Sequence, residues 1–202
     1  MTVVIADYGM GNIESIANMV RKAGGSAQIS ADPEVLASAG KLILPGVGSF
    51  DKGMAALAQT GIKAAVYEAV NQGAGLLGIC LGMQMLMDGS EEGGIPGLGL
   101  IPGKVCRFPS GTGLKVPHMG WNRVQPKKDS ALFSKQEQNV SRFYFVHSYF
   151  ASCAEDSDIA AITNYGFDFV SAFSRKNIHG VQFHPEKSHR FGLELFRRFM
   201  DS

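Results

Sequence analysis

The sequence predicts an α/β fold: a mostly parallel central sheet flanked by helices, with an added antiparallel section in the second half. Three observations carry this reading. Apolar runs of strand length alternate with helical stripes through the first half. That βαβα order predicts parallel strands covered on both faces. In the second half, strand-like runs follow one another with turn signals between them.

Taken in order, Val3-Val4-Ile5-Ala6 reads as the first strand. Ile13, Ile16, Ala17, Val20 and Ala23 recur at helical spacing, and Gly24-Gly25 ends that helix. Asn12 stands where a helix N-cap is expected. Ala27-Gln28-Ile29 predicts a second strand, and Lys41-Leu42-Ile43-Leu44 a third, stopped by Pro45-Gly46. Ile62, Ala65, Val66, Ala69 and Val70 form another helical stripe before the apolar run that leads to Cys80. Beyond it, Leu98 to Val105, Gly120 to Val124, Phe143 to Tyr149, Ile159 to Thr163, Phe169 to Ser174 and Ile178 to Phe183 read as strands, with turns at Pro109-Ser110-Gly111 and Gly166. Phe191, Leu195, Phe196 and Phe199 make the apolar face of a final helix.

Composition bounds the function. The 202 residues, 45% hydrophobic, fit one globular domain over 1–202 with a sizeable core. A net charge of +1, with Lys127-Lys128 the nearest thing to a charge run, gives no footprint of nucleic acid or a membrane surface. No apolar stretch is long enough to span a bilayer, and the first residues lack the pattern of a signal peptide. Three cysteines, Cys80, Cys106 and Cys153, point to a reducing, cytoplasmic setting without a disulfide framework. No pair has metal-ligand spacing, and Gly9-Met10-Gly11-Asn12 lacks both a third glycine and a Gly-Lys-Ser/Thr ending, so neither metal nor cofactor is expected. Cys106 and Cys153 read as packing residues.

In parallel sheets, function collects at the carboxyl ends of the strands. Asp7-Tyr8, Pro45-Gly46-Val47-Gly48 and Cys80 all fall there. Gly78-Ile79-Cys80-Leu81-Gly82-Met83-Gln84 has the layout of a nucleophile elbow: a strand, a sharp glycine-flanked turn, then a polar, helix-compatible segment. A helix N-terminus there favours the thiolate. Read alone, the heptapeptide also fits a buried strand with an inert cysteine. A cysteine nucleophile needs a base and a group that orients it. His184 and Glu186, two apart around Pro185, put an imidazole and a carboxylate on one side of an extended segment. His147 fits either a place near the site or an ordinary hydrogen-bonded strand histidine. His118, His179 and His189 have no carboxylate at a useful spacing and read as structural or surface residues. The Pro45–Gly48 turn fits both a set of backbone N–H donors for a developing oxyanion and a simple β-to-α turn.

The elbow, the Pro45-Gly46-Val47-Gly48 loop and Phe183-His184-Pro185-Glu186 together resemble the class I glutamine amidotransferases. Asp7-Tyr8-Gly9-Met10-Gly11-Asn12, Pro117-His118-Met119-Gly120-Trp121-Asn122, Tyr144-Phe145-Val146-His147-Ser148-Tyr149 and Phe183 to Ser188 narrow the resemblance to the glutaminase subunits of imidazole glycerol phosphate synthases, over essentially the whole chain. One departure is Gly75, where many members of the class have proline.

The resemblance implies a flavodoxin-like fold and a Cys80-His184-Glu186 triad that hydrolyses glutamine through a thioester. It implies oxyanion donors from the backbone of Val47 and Leu81, and substrate contacts from Gly48, Gln84, Ser148 and Tyr149. It further implies a (β/α)₈-barrel cyclase as heterodimeric partner, taking the ammonia for histidine biosynthesis, with Asn12, Met119, Trp121 and Lys187 at that interface. Two other classes compete: a γ-glutamyl hydrolase or peptidase of related architecture, against which the Pro117–Asn122 block stands, and a non-catalytic partner-binding module, against which the intact Cys80, His184 and Glu186 set stands.

Overall fold

The computed structural model describes residues 1–109, 111, 113–134 and 141–202. Ser110, within the expected Pro109–Gly111 turn, lies outside the described residues. Strands β1 (Thr2–Ala6), β2 (Ser26–Ser30), β3 (Lys41–Leu44) and β4 (Gly75–Ile79) alternate with helices α1 (Ile13–Lys22), α2 (Pro33–Ala37), α3 (Phe50–Gln59) and α4 (Ile62–Asn71). The short helix α5 (Leu81–Met85) follows β4 directly. Then come β5 (Met87–Ser90), β6 (Ile101–Arg107), β7 (His118–Pro126), β8 (Ser141–His147), β9 (Tyr149–Cys153), β10 (Ile159–Asn164), β11 (Asp168–Arg175), β12 (Ile178–Val181) and α6 (His189–Asp201).

The described strands join into one mixed sheet in the order β2-β1-β3-β4-β12-β11-β10-β7-β8. From β2 to β12 every pairing is parallel; from β12 to β8 every pairing is antiparallel. Strand β12 is therefore the seam. β9 joins the antiparallel part through β11 and pairs β6, which pairs β5.

Within the parallel part β1, β3, β4 and β12 are buried on both faces, as their apolar runs require, while the edge strand β2 is partly exposed. Val3 and Ile5 point to the layer of α1 and α6, where Ile16, Val20, Phe196 and Phe199 pack. Val4 and Ala6 point to the opposite layer, with Leu36, Leu57 and Val66 from α2, α3 and α4. This is the period-two alternation of a strand.

Several boundaries differ from the sequence reading. The strand expected from Leu98 starts at Ile101, because Leu98 N–H and Leu100 N–H are taken by the carbonyls of Met85 and Leu86. The run Phe143 to Tyr149 is two strands that break at Ser148. β12 ends at Val181, short of Phe183. Asn12 precedes α1 as expected, but its side chain makes no capping bond.

The final helix sets the height of the turn at Pro185–Lys187, a single 3₁₀ turn. Gly192 of α6 lies so close that a Cβ built there would sit 1.8 Å from the Pro185 carbonyl oxygen. Glycine at 192 is thus a packing requirement. Gly192→Ala is expected to lower the unfolding free energy by about 1–3 kcal/mol, the usual cost of overpacking, in urea titrations followed by circular dichroism. An unchanged midpoint would show that the helix yields freely.

Candidate active site

The elbow forms where β4 ends. Cys80 has φ 54° and ψ −110°, a left-handed conformation that an L-residue adopts only when its surroundings impose it. Its N–H is held by the Val181 carbonyl at 2.8 Å, which extends the β4–β12 pairing by one residue. The glycines around it are obligatory. A Cβ on Gly82 would lie 1.9 Å from the Leu44 carbonyl oxygen, and one on Gly78 would lie 2.7 Å from Met83 N. The segment after Cys80 differs from the expected polar helix: α5 spans five residues, all buried. So short a helix carries only a small macrodipole.

Protonation in the site is governed by His184. Gly180 and Val181 pair with Gly78 and Ile79, so the chain leaves β12 beside the elbow. His184 then takes an extended conformation, φ −102° and ψ 94°, as the following proline demands. The Pro185–Lys187 turn, rather than one strand face, swings Glu186 back, and its Oε1 lies 2.8 Å from His184 Nδ1. The two side chains are almost wholly buried. The carboxylate can only accept, so Nδ1 carries a proton and Nε2 is the nitrogen left for Cys80. Burial by itself lowers the His184 pKa. Hydrogen bonding and charge from Cys80 and Glu186 outweigh it and push the pKa up to about 10.

Cys80, Leu81, His184, Val47, Gly48 and Gln84 line a cleft of about 340 Å³, together with His147, Ser148 and Tyr149. All the catalytic, oxyanion and substrate-contact residues expected from the sequence thus meet at this cleft, Glu186 standing behind His184. Leu81 is the first residue of α5, so its N–H has no acceptor within the helix. Gly48 needs its φ of 116°, and a Cβ there would meet Met10 Cε at 2.9 Å.

The expected interface residues lie elsewhere, at the surface. Met119 and Trp121 project from one face of β7 and are 61% and 41% exposed. Trp121 stacks on His189 and meets the Tyr144 ring edge-on. The Lys187 ammonium lies over that same ring. Lys187 and Asn12 are exposed.

Four further residues serve the site; the sequence marked Tyr8 only by its place at a strand end and Ser188 only as part of a block, and gave no role to Gln182 or Glu92. The buried Tyr8 hydroxyl donates to the Pro45 carbonyl and anchors the Pro45–Gly48 loop; burial and the charge of Cys80 push its pKa far up. The Gln182 side-chain amide donates from Nε2 to Cys80 Sγ at 3.8 Å, and its Oε1 accepts from Gln84 Nε2–H at 3.0 Å. Glu92 lines the cleft and caps α3, accepting from Phe50 N–H at 2.8 Å. The Ser188 hydroxyl, fully buried, donates to the His184 carbonyl and accepts from Tyr144 N–H. Each acts across elements distant in sequence.

Comparison with known proteins agrees with this geometry. The family model for class-I glutamine amidotransferase matches residues 4–202. Imidazole glycerol phosphate synthase subunit HisH 2 of Methanococcus maripaludis is 49% identical over 199 residues, 98% of each chain. A subunit HisH 2 from Pseudomonas aeruginosa is 46% identical, again over 98% of each chain. Among solved structures, PurLQS from Thermotoga maritima matches with a TM-score of 0.75 at 16% identity, over 99% of this chain and 97% of that one. The glutaminase domain of CTPS from Trypanosoma brucei matches at 0.68 and 18%, over 100% and 94%. These two show the likeness of fold alone.

The His184 proton has a signature in stability. Its folded pKa lies above the ordinary 6.5, so the stabilisation is complete below pH 6.5 and is lost as pH rises to about 10. Glu186→Gln removes one of the charges that hold the proton, so the variant is expected to lose less stability across that interval. Urea unfolding of both proteins at its two ends measures the difference. Equal losses would show that the Glu186 charge does not hold the proton.

Proposed function

The chain belongs to the class-I glutamine amidotransferases, among the HisH subunits of imidazole glycerol phosphate synthase, and from that membership we propose that Cys80, His184 and Glu186 hydrolyse glutamine to glutamate and ammonia. The observation that supports this most is the elbow thiol beside a buried imidazole whose far nitrogen is held by a carboxylate at 2.8 Å. The Cys80 thiolate attacks the side-chain amide carbon of glutamine. The resulting oxyanion is held by the N–H groups of Leu81 and Val47. His184, kept protonated by its neighbours, delivers the proton from Nε2 to the leaving nitrogen, and ammonia departs. A glutamyl thioester remains on Cys80. His184, now neutral, takes a proton from water, which attacks the thioester and releases glutamate. Glu186 orients the imidazole and stabilises its charged form throughout.

Gly48, Gln84, Ser148 and Tyr149 contact the glutamine. Its α-ammonium calls for a negative charge, and Glu92 is the carboxylate lining the cleft among the described residues. The whole chain, 1–202, acts as one amidotransferase domain.

Ammonia set free in water is protonated and diluted, so a glutaminase built for synthesis needs an acceptor against it. The acceptor is a (β/α)₈-barrel cyclase subunit, which uses the ammonia to make imidazole glycerol phosphate and aminoimidazole carboxamide ribotide in histidine biosynthesis in the cytoplasm. Asn12, Met119, Trp121 and Lys187 form the docking face. Exposed Met119 and Trp121 side by side support this, since interfaces favour such anchors.

Two outcomes test the reading. Cys80→Ala is expected to abolish glutamate release from glutamine while leaving the far-ultraviolet circular dichroism unchanged; persistent turnover would remove Cys80 from the mechanism. Trp121→Ala is expected to weaken binding of the cyclase subunit by about 2 kcal/mol, the scale of an interface anchor, in isothermal titration. Unaltered affinity would move the docking face elsewhere.

A further inference from the structure

His118 and His147 form a buried pair that the triad chemistry does not use. They stand directly opposite each other on β7 and β8, 3% and 6% exposed. His118 is sandwiched between the rings of Phe145 and Tyr165.

The hydrogen bonds fix both protonation states. Asn122 Oδ1 accepts from Arg123 N–H at 2.7 Å, so its Nδ2 is the donor end, giving one proton to the Asn164 carbonyl at 2.9 Å. The other goes to His118 Nε2 at 3.2 Å, which must therefore be unprotonated. From the opposite end, a carbonyl oxygen can only accept, so His147 Nδ1, 2.7 Å from the Tyr149 oxygen, carries a proton. His118 Nδ1 and His147 Nε2 lie 2.9 Å apart. With His118 Nε2 bare, its Nδ1 holds the proton and donates to His147. Both rings are neutral Nδ1–H tautomers in one directional chain. Burial favours the same neutral forms, lowering the two pKa values to about 4 and about 3.

The chain ends on the cleft. The Tyr149 carbonyl that receives His147 also receives Gln84 Nε2–H at 3.1 Å. It sits where the chain breaks between β8 and β9, at the Ser148–Tyr149 wall. We propose that His118 is a positioning residue for glutamine binding: acting through His147, it fixes the Tyr149 carbonyl and with it the wall that contacts the substrate. The inference rests on the glutamine reading of the cleft. It also joins that wall to the docking face, because the strand that carries His118 and Asn122 inward carries Met119 and Trp121 outward.

The test uses the full chain with its cyclase partner. His118→Phe keeps the ring stack and removes both nitrogens. KM for glutamine should rise about tenfold, as expected for a lost buried hydrogen bond, and by more than kcat falls. Alkylation of Cys80 by iodoacetamide should keep its rate. His118→Asn, whose amide nitrogen can stand in for Nδ1, should recover most of the KM. Nitrogen-15 spectra of the unsubstituted protein should show both imidazoles as neutral Nδ1–H tautomers. An unmoved KM with normal wild-type turnover, an Nε2–H tautomer at either ring, or a kcat loss matched by slower alkylation would each overturn the inference alone. Wild-type protein without Cys80-dependent turnover would overturn the glutamine reading as well.

Discussion

The parallel pairing of β4 with β12 is the constraint on which the rest of the site depends. Ile79 faces Val181, and Cys80 N–H continues the ladder onto the Val181 carbonyl. That one register puts the elbow thiol next to the segment carrying Gln182 and His184, though they are about a hundred residues apart in sequence. A slip of one residue would turn every side chain to the opposite face and separate thiol from imidazole. β12 also ends the parallel part and begins the antiparallel one, so the walls bearing His147, Ser148 and Tyr149 are registered against the same strand through β11.

The electrostatics of the site follow from which neighbours each histidine is given. His118, His147 and His179 are buried with neutral or cationic company, and burial drives their pKa values down. His184 is equally buried but sits between Cys80 and Glu186, and its pKa rises. The cleft thus holds a charged imidazole facing a neutral one. The charge on His184 itself contributes to keeping His147 neutral. Two residues of one type are thus held in opposite protonation states by surroundings alone, as the proposed acid and scaffold roles require.

Much of this was legible in the sequence where the signal is local. Strand-length runs at Val3, Lys41 and Gly75, the helical stripe from Ile13 and the glycines around Cys80 each encode their conformation within a few residues; the His184-Pro185-Glu186 triplet showed its pairing but not the 3₁₀ turn that makes it. What was not legible depends on register or on short-range competition. α2 is too short to show a stripe, and the mixed apolar pattern of α3 follows a turn that dominates the local reading. The buried face of α5 is set by packing under Leu44 and Gly53, not by its own composition. The partnership of His118 with His147, the reach of Tyr8 to Pro45 and the turn of Glu92 into the cleft all need to know which strands and loops are neighbours. His118 had no carboxylate at a useful spacing and so read as structural, and His147 read equally as a residue near the site or an ordinary strand histidine; their pairing shows only once β7 lies against β8.

The closure of α6 on Pro185 through Gly192 has a consequence for the order in which the protein comes into being. The elbow is made well before β12, the Pro185 turn and the helix that seats it. Synthesis proceeds at about 5–20 residues per second, so for some seconds the nascent chain carries Cys80 with neither proton donor nor strand partner. On the proposed mechanism, a thiol in that state has no means of turning over glutamine. On that same mechanism, hydrolysis is therefore deferred until β12 and the Pro185 turn have been made, and a cell is spared wasteful amide cleavage by half-made molecules through topology alone.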